Sequence, residues 1–198
     1  MRLGRVFLTF IKIFLMLVVT MMIRFQMPEL RYDLGSKTPI QITSPNGLSV
    51  ERFPQSTFAS VQGTIDLTRA ATFAMHGVRF TYFLLEGYGP MLVVRTPEDI
   101  DEDWRQITTH LGRLKPYRRM PFSRSVRAGF RANFDVGIPE DALFLGRDDV
   151  PRFTGWSVGA MVFASVLWCV LGYFFFLHGW LTKRAAKPAQ TAEPVAEN

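Results

Sequence analysis

Two long apolar segments constrain the fold of this chain more than any other feature of its sequence. Residues 6–23 carry a single charge and residues 156–180 carry none, whereas the residues between them have the composition of a globular domain. A helix of about 20 apolar residues is long enough to cross the hydrocarbon core of a bilayer. The sequence therefore predicts two transmembrane helices that hold a central domain on one side of a membrane.

Basic residues beside both apolar segments predict the orientation of the chain. Arg2 and Arg5 precede the first segment, and Lys183, Arg184 and Lys187 follow the second. Because Lys and Arg concentrate in cytoplasmic flanks, both termini are expected in the cytoplasm. The central domain is then periplasmic, in the inner membrane of a Gram-negative cell, or lies in the intermembrane space of an organelle. The first segment is interpreted as an uncleaved anchor, because no small-residue cleavage pattern follows it.

These features divide the chain into six predicted parts. They are a cytoplasmic N-terminus (1–5), a transmembrane helix (6–23), an extended lead-in (24–56), an extracytoplasmic β-rich domain (57–152), a second transmembrane helix (156–180) and a disordered cytoplasmic tail (181–198). The tail is predicted to be disordered because it is rich in Ala, Pro and Glu and has no apolar face.

The central domain alternates apolar and polar residues in several short runs, which is typical of half-buried strands. The runs lie at residues 58–67, 78–85, 91–96, 107–116 and 126–134, and 40–42 and 48–50 are predicted extended pieces at a sheet edge. The second and third runs form a predicted hairpin across the turn at 87–90. Each strand carries a glycine or a bend, so we predict an α+β protein with a small, OB-like or partly closed barrel.

One short helix is predicted between the middle strands. Thr96 and Pro97 are typical of a helix start, and the acidic residues that follow suit its first turn. Ile100, Trp104 and Ile107 then recur at helical spacing. The acidic cluster at 98–103 is interpreted as a solvated helix face, because the ligand order of a calcium loop is absent.

The densest charge feature is a basic stretch at residues 113–131, which contains seven bases and no acid. It consists of Arg113, Lys115, Arg118, Arg119, Arg124, Arg127 and Arg131. Two interpretations stay open: scattered solvated bases, or a contact with an acidic partner surface or lipid headgroups. Residues 24–154 carry 17 Lys and Arg against 15 Asp and Glu. A nucleic-acid domain needs its own basic surplus, so nucleic acid is not an expected partner.

Few residues suggest catalysis or metal binding. The central domain contains His76 and His110 and no cysteine, and it lacks the motifs of hydrolases, zinc proteases and P-loop proteins. Cys169 lies in the second apolar segment, where a small packing residue is the expected role. The chain is therefore expected to be neither an enzyme nor a carrier of a metal or cofactor.

Small residues in the second apolar segment predict a helix-packing face. Gly155, Gly159, Ala160 and Ala164 are spaced so that another helix backbone, from the first segment or from a partner, approaches closely. Lys12 is expected to reach the headgroups along its stem, with an intramembrane ion pair as the alternative. His178 is expected at headgroup depth, with a ligand role as the alternative.

The order of helix, outer β-rich domain and helix resembles the SURF1-type cytochrome oxidase assembly proteins. The run ASVQGTID, the hairpin ending in LVVR and the run THLGRLKP are similar to glycine- and arginine-bearing strands of that family. Val94-Arg95-Thr96-Pro97 stands where the family has Asn-Arg-Gly-Trp, so Arg95 is the one position carried over. The resemblance implies a role in building a respiratory complex.

Two functional hypotheses follow. The first is a non-enzymatic accessory or assembly protein, embedded in the lipid bilayer, whose outer domain contacts a larger membrane complex. The second is a binding or sensing module for a periplasmic ligand, which requires a cavity inside the β-domain. The second hypothesis fails if Val61, Ile65, Phe80, Tyr82 and their neighbours fill that interior.

Overall fold

A computed structural model describes residues 2–75, 77–153 and 155–178. The chain divides into two compact units: Leu30–Phe153, and the described parts of Met1–Glu29 and Thr154–Asn198. The described helices are α1 (Arg2–Asp33), α2 (Ser123–Phe134) and α3 (Gly155–Gly172). The features predicted at His76, at the basic residues 183, 184 and 187 and in the tail lie outside the described residues.

Two of these helices are long and apolar enough to span a membrane. The candidate spans are Val6–Asp33 within α1 and Val158–Leu177, which begins in α3 and ends in a π-helical turn at Tyr173–Leu177. Most of their side chains are exposed rather than covered by protein. A core helix of a soluble domain would be covered, whereas a bilayer provides an apolar surrounding for such a surface.

The first helix extends ten residues beyond the predicted span, so the extended lead-in begins later than predicted. Residues 24–33 continue the helix although Pro28 lies inside it. Pro28 removes one backbone hydrogen bond, but its neighbours are mostly good helix formers. The helix ends before Gly35, whose amide donates to the Tyr32 carbonyl at 3.0 Å.

Within the described residues, seven strands form one mixed sheet. They are β1 (Ile40–Ile42), β2 (Thr57–Gln62), β3 (Ile65–Met75), β4 (Val78–Leu85), β5 (Leu92–Thr96), β6 (Thr109–Pro116) and β7 (Leu143–Arg147), in the order β1-β2-β6-β7-β5-β4-β3. The pairs β1–β2 and β5–β7 are parallel and the others antiparallel. The predicted hairpin of β4 and β5 and the edge strand at 40–42 are confirmed, whereas residues 48–50 form no strand.

The run at 58–67 forms two strands, and their positions require a strongly curved sheet. β2 and β3 are separated by only Gly63 and Thr64, yet four strands lie between them in the sheet. Five strand spacings amount to about 24 Å in a flat sheet, whereas three Cα steps reach only about 11 Å. The sheet must therefore curl until its two halves approach each other at Gly63.

The two faces of the sheet carry separate apolar clusters. The inner cluster includes Val61, Ile65, Phe83, Leu114 and Leu145, each at most 1% exposed. The outer cluster lies beneath α2 and includes Tyr82, Tyr117, Val126, Phe130 and Phe144. Phe80 packs against the outer cluster to which Tyr82 belongs, so of the four residues named for the interior only Val61 and Ile65 lie there.

The helix predicted from Thr96 does not form. Thr96 instead ends β5 and pairs with Thr81, because the residue before a proline avoids the helical region. A five-residue 3₁₀ helix at Glu102–Gln106 follows, capped by the Asp101 carboxylate. Trp104 is buried in the inner cluster, so the apolar residues of this segment fill the core without a regular α-helix.

The strand predicted at 126–134 is a helix. Val126 and Phe130 are buried and Phe134 packs beside them, a spacing of four that places all three on one face of α2. Gly129 lies against the Phe73 ring, where a side chain would collide with it. The glycine thus permits close approach of α2 to β3 and does not mark a bend in a strand.

Candidate functional site

The structure separates the basic stretch into an inner and an outer group. Arg113 is buried and Lys115 and Arg127 are half-buried. The other four are exposed, and we call them the outer arginines: Arg118, Arg119, Arg124 and Arg131. The seven bases predicted as one contact surface therefore do not all face solvent.

Arg113 contacts residues from separate segments of the central domain and so connects three of its segments. Its guanidinium lies 3.0 Å from the Asp149 carboxylate, 3.9 Å from that of Asp33 and 3.8 Å from the centre of the Tyr32 ring. Tyr32 also donates a hydrogen bond from its hydroxyl to the Asp149 carbonyl. These contacts join the end of α1, β6 and the segment after β7, so the position of Arg113 is explained by the fold itself.

Lys115 and Arg127 lie against aromatic rings of the outer cluster. The Lys115 amine lies 5.6 Å from the centre of the Phe144 ring. Arg127 lies 5.6 Å from the Tyr117 ring and donates to the Pro139 carbonyl at 3.3 Å. Burial raises the pKa of the Tyr117 hydroxyl, and the nearby Arg127 only partly offsets this. Both cations thus cover the edge of a packed cluster.

The outer arginines lie on two short elements that buried residues hold in place. Arg118 and Arg119 belong to the 3₁₀ helix Tyr117–Arg119, and Arg124 and Arg131 belong to α2. Tyr117 and Met120 anchor the first element in the outer cluster, and Val126 and Phe130 anchor the second. The side chains of the outer arginines point away from that cluster because its apolar residues occupy the opposite face.

In the part of the chain that the structure describes, the outer arginines have no acidic neighbour to neutralise them. Within the described residues, none of the four lies within 4.0 Å of a carboxylate. The sequence from 104 to 134 contains no Asp or Glu at all. An exposed guanidinium that lacks an internal partner is free to bind a carboxylate or phosphate through two parallel hydrogen bonds.

An exposed aromatic residue accompanies these arginines and was not identified as a site residue from the sequence. Phe122 is 49% exposed and begins α2 in the left-handed conformation, with φ 61° and ψ 20°. Its one signal in the sequence is an apolar residue between Pro121 and Ser123 in a basic segment. The neighbouring residues were predicted to form a strand of alternating residues, and this pattern gave no reason to select Phe122.

Arg95 lies on the outer face of the sheet and not in a separate pocket. Its guanidinium is 4.5 Å from the centre of the Phe80 ring and 5.3 Å from that of Phe144. Burial raises the pKa of the neighbouring Tyr82 hydroxyl, an effect that Arg95 partly offsets. These cation–π contacts account for the position of Arg95.

His110 is enclosed in the sheet. Its Nε2 is 3.1 Å from the Gly63 carbonyl and its ring lies against Phe83, while Nδ1 is buried without a hydrogen-bond partner among the described residues. Burial lowers the pKa of this imidazole. His178 is exposed beside Tyr173 and Phe174. In the described parts of the chain, no group of three His, Cys, Asp or Glu side chains is placed to hold a metal ion.

Of the four small residues predicted to pack a helix, one is fully buried. Ala164 is 4% exposed, and Ala160 is half-buried. Gly155 and Gly159 are open, with no described heavy atom within 4 Å of the place a side chain would occupy. The contact of α3 with α1 instead involves Trp168, which donates to the Thr20 hydroxyl at 3.0 Å.

Two further features of the apolar segments have defined positions. Lys12 lies 5.5 Å from the centre of the Phe175 ring. Cys169 is a free, exposed cysteine of α3.

A surface cavity of the central domain lies beside the end of α1, with a volume of about 400 Å³. It is lined by Arg31, Tyr32, Gly35, Ser36, Thr38, Ile40, Ser56, Thr57 and Phe58. Comparison with protein-family models, curated proteins and solved structures finds no match to this chain. The site is therefore interpreted from its own geometry.

Proposed function

We propose that this chain is a non-enzymatic accessory or assembly protein that is anchored in a membrane and contacts a larger membrane complex through its outer domain. The observation that carries the proposal is the set of four outer arginines on rigid elements, exposed and without an acidic partner among the described residues. Arginine is enriched at protein interfaces, and complementary charge guides partners into register. An acidic surface of another protein is the matching partner.

The membrane anchor supports the same proposal. Two helices long and apolar enough to span a bilayer flank the outer domain in the chain. The basic residues that flank these helices on the terminal sides favour cytoplasmic termini, which supports a periplasmic position for the domain of an inner-membrane protein. A domain tethered at both ends beside a bilayer meets other membrane proteins at high effective concentration. The resemblance to oxidase assembly proteins makes a respiratory complex the first candidate.

The curved sheet is consistent with the OB-like or partly closed barrel expected for such a domain. Its inner face is filled by Val61, Ile65, Phe83 and their neighbours, which are almost completely buried. The alternative function, binding or sensing of a periplasmic ligand, therefore has little space on this face of the sheet. It depends on the surface cavity beside the end of α1 instead.

The proposal is tested by purifying the full-length protein from its native membranes in mild detergent and identifying what accompanies it. We expect a discrete set of membrane-protein subunits, with respiratory subunits as the first candidates. Replacing Arg118, Arg119 and Arg124 with Gln should reduce their recovery about tenfold or more, because each lost charge contact at an interface weakens binding. Raising the salt concentration should weaken it in the same direction.

The matched control is Arg79→Gln, which removes an exposed arginine of β4 outside the basic stretch. This variant should retain the partner in full. Migration of the wild-type chain alone at every expression level would contradict the accessory function. In that case, ligand binding at the surface cavity becomes the stronger hypothesis.

A further inference from the structure

Phe122 is an exposed apolar residue in the most basic part of the chain. Its side chain is 49% exposed, and Arg118, Arg119 and Arg124 lie within four residues of it. All three arginines are exposed and lack a carboxylate within 4.0 Å among the described residues. Aromatic residues and arginine are both enriched in protein interfaces.

The segment that carries Phe122 is held in one conformation by the fold. The Tyr117 hydroxyl donates to the Ser123 carbonyl at 2.9 Å, and the Met120 amide donates to the Tyr117 carbonyl at 2.9 Å. Met120 itself is 3% exposed, and the Val126 amide donates to the Phe122 carbonyl at 3.1 Å. A segment fixed in this way loses little conformational entropy when it binds.

Phe122 has a backbone conformation that a different residue type would adopt more easily. Its φ of 61° lies in the left-handed region, where a bulky side chain is disfavoured and Gly or Asn is preferred. The residue as a whole remains 49% exposed, so packing within the chain covers only part of it. Its exposed part can therefore contact another surface.

We propose that Phe122 is the anchor of a protein contact: it inserts into an apolar pocket whose rim carries Asp and Glu side chains that pair with Arg118, Arg119 and Arg124. This inference rests on the proposed function and specifies its contact. A protein surface is favoured over lipid because every exposed base of the contact is arginine and none is lysine. Arginine is enriched in protein interfaces and lysine depleted, whereas anionic membranes attract both alike.

The inference is tested by photocrosslinking in native membranes with benzoylphenylalanine at position 122 of the full-length chain. Position 78 provides the matched control, because Val78 is 50% exposed and lies on β4 outside the basic stretch. We expect a discrete protein adduct from position 122 and none from position 78. Mass spectrometry should locate the crosslinked partner residue in an apolar site with neighbouring Asp or Glu.

Two sets of variants separate recognition from folding. Replacing Arg118, Arg119 and Arg124 with Glu should reduce the adduct about tenfold or more, and replacing the mapped partner acids with Arg should restore it. Phe122→Gly suits the left-handed backbone, so it should keep the melting temperature within about 4 °C of wild type. The same variant should recover about tenfold less partner, a loss that a merely structural role would not produce without lower stability.

The outcomes distinguish this inference from the function on which it rests. An adduct with phospholipid alone, an equal adduct from position 78, or an adduct insensitive to charge reversal would overturn the Phe122 contact. If the wild-type chain still purifies with its partner in those cases, the accessory function stands and the contact lies elsewhere. If the wild-type chain purifies alone, both are overturned.

Discussion

At the scale of single residues, the environment of His110 makes the stability of the domain depend on pH. The ring is buried, its Nε2 faces the Gly63 carbonyl, and its Nδ1 has no acceptor among the described residues. Burial and the nearby Arg147 disfavour the protonated form, and the Gly63 carbonyl and Asp148 only partly oppose them. The pKa of His110 is therefore lower in the folded state than its usual value of 6.5.

This shift predicts a loss of stability in mild acid. The unfolded state binds the proton more readily than the folded state. The contribution of His110 to the free energy of unfolding is therefore fully present above pH about 6.5 and is lost as the pH decreases below that value. The slope approaches about 1.4 kcal/mol per pH unit between the unfolded and folded pKa values. Thermal unfolding of the detergent-solubilised protein between pH 5 and pH 8 measures this change.

The variant His110→Gln serves as the comparison, since an amide also donates to a carbonyl but does not titrate. Its stability should vary less with pH over this range than that of the wild type. The difference between the two proteins removes the contributions of all other titrating groups. Parallel pH profiles would contradict the assignment of the effect to His110.

At the scale of elements, the strands were predicted correctly where the alternation of apolar and polar residues fits only a strand. The prediction was wrong where the same residues also fit a helix. β4, β5 and β6 have apolar runs bounded by turns, and their bounds agree closely with the sequence pattern. Residues 126–134 fit periods of both two and four, because Ala128 and Ala132 alternate with the polar residues but are exposed. Only packing of Val126 and Phe130 against the sheet decides for the helix.

Arg113 connects elements that lie far apart in the sequence, and its removal should destabilise the domain. Arg113→Met would leave the partly buried carboxylates of Asp33 and Asp149 without this cation and would remove the stacking on Tyr32. Because Arg113 is buried but Asp149 is 38% exposed, the loss should be about 1–3 kcal/mol, between the values for exposed and buried pairs. Thermal or denaturant unfolding of the full-length protein in detergent should show this loss.

Arg119→Met provides the control for that change, because Arg119 is exposed and has no ion pair among the described residues. Surface substitutions of this kind usually alter stability by less than about 0.5 kcal/mol. Equal stability of the two variants would show that the Arg113 contacts do not hold the elements together.

At the scale of the whole molecule, the two apolar helices and the basic stretch could be located from the sequence. Which bases of that stretch are buried and which are exposed could not be predicted. Burial of Arg113 depends on Asp33 and Asp149, which lie 80 and 36 positions away along the chain. The exposure of Arg124 depends on which face of α2 packs against the sheet, whereas the predicted strand at 126–134 did not include this residue. Both properties arise from contacts distant in sequence, which local patterns do not encode.

The small residues of α3 give a final prediction about how the apolar unit holds together. Ala164 is 4% exposed and lies one helical turn before Trp168, which contacts Thr20 of α1, whereas the site of Gly155 is open among the described residues. Ala164→Leu overpacks that contact and should lower the stability of the helix pair by about 1–3 kcal/mol, whereas Gly155→Leu should leave it unchanged. Unfolding in mixed micelles of mild detergent and dodecyl sulfate, followed by the fluorescence of Trp168, measures both.

The same pair of variants also separates packing within the chain from packing against a partner. If Gly155→Leu keeps the helix pair intact but lowers recovery of partner subunits from native membranes, the open glycine face is an intermolecular contact, because a leucine there blocks close approach of a second helix. If it lowers neither, this face contacts lipid alone. Equal destabilisation of the helix pair by both variants would contradict the contact of α3 with α1 through Ala164.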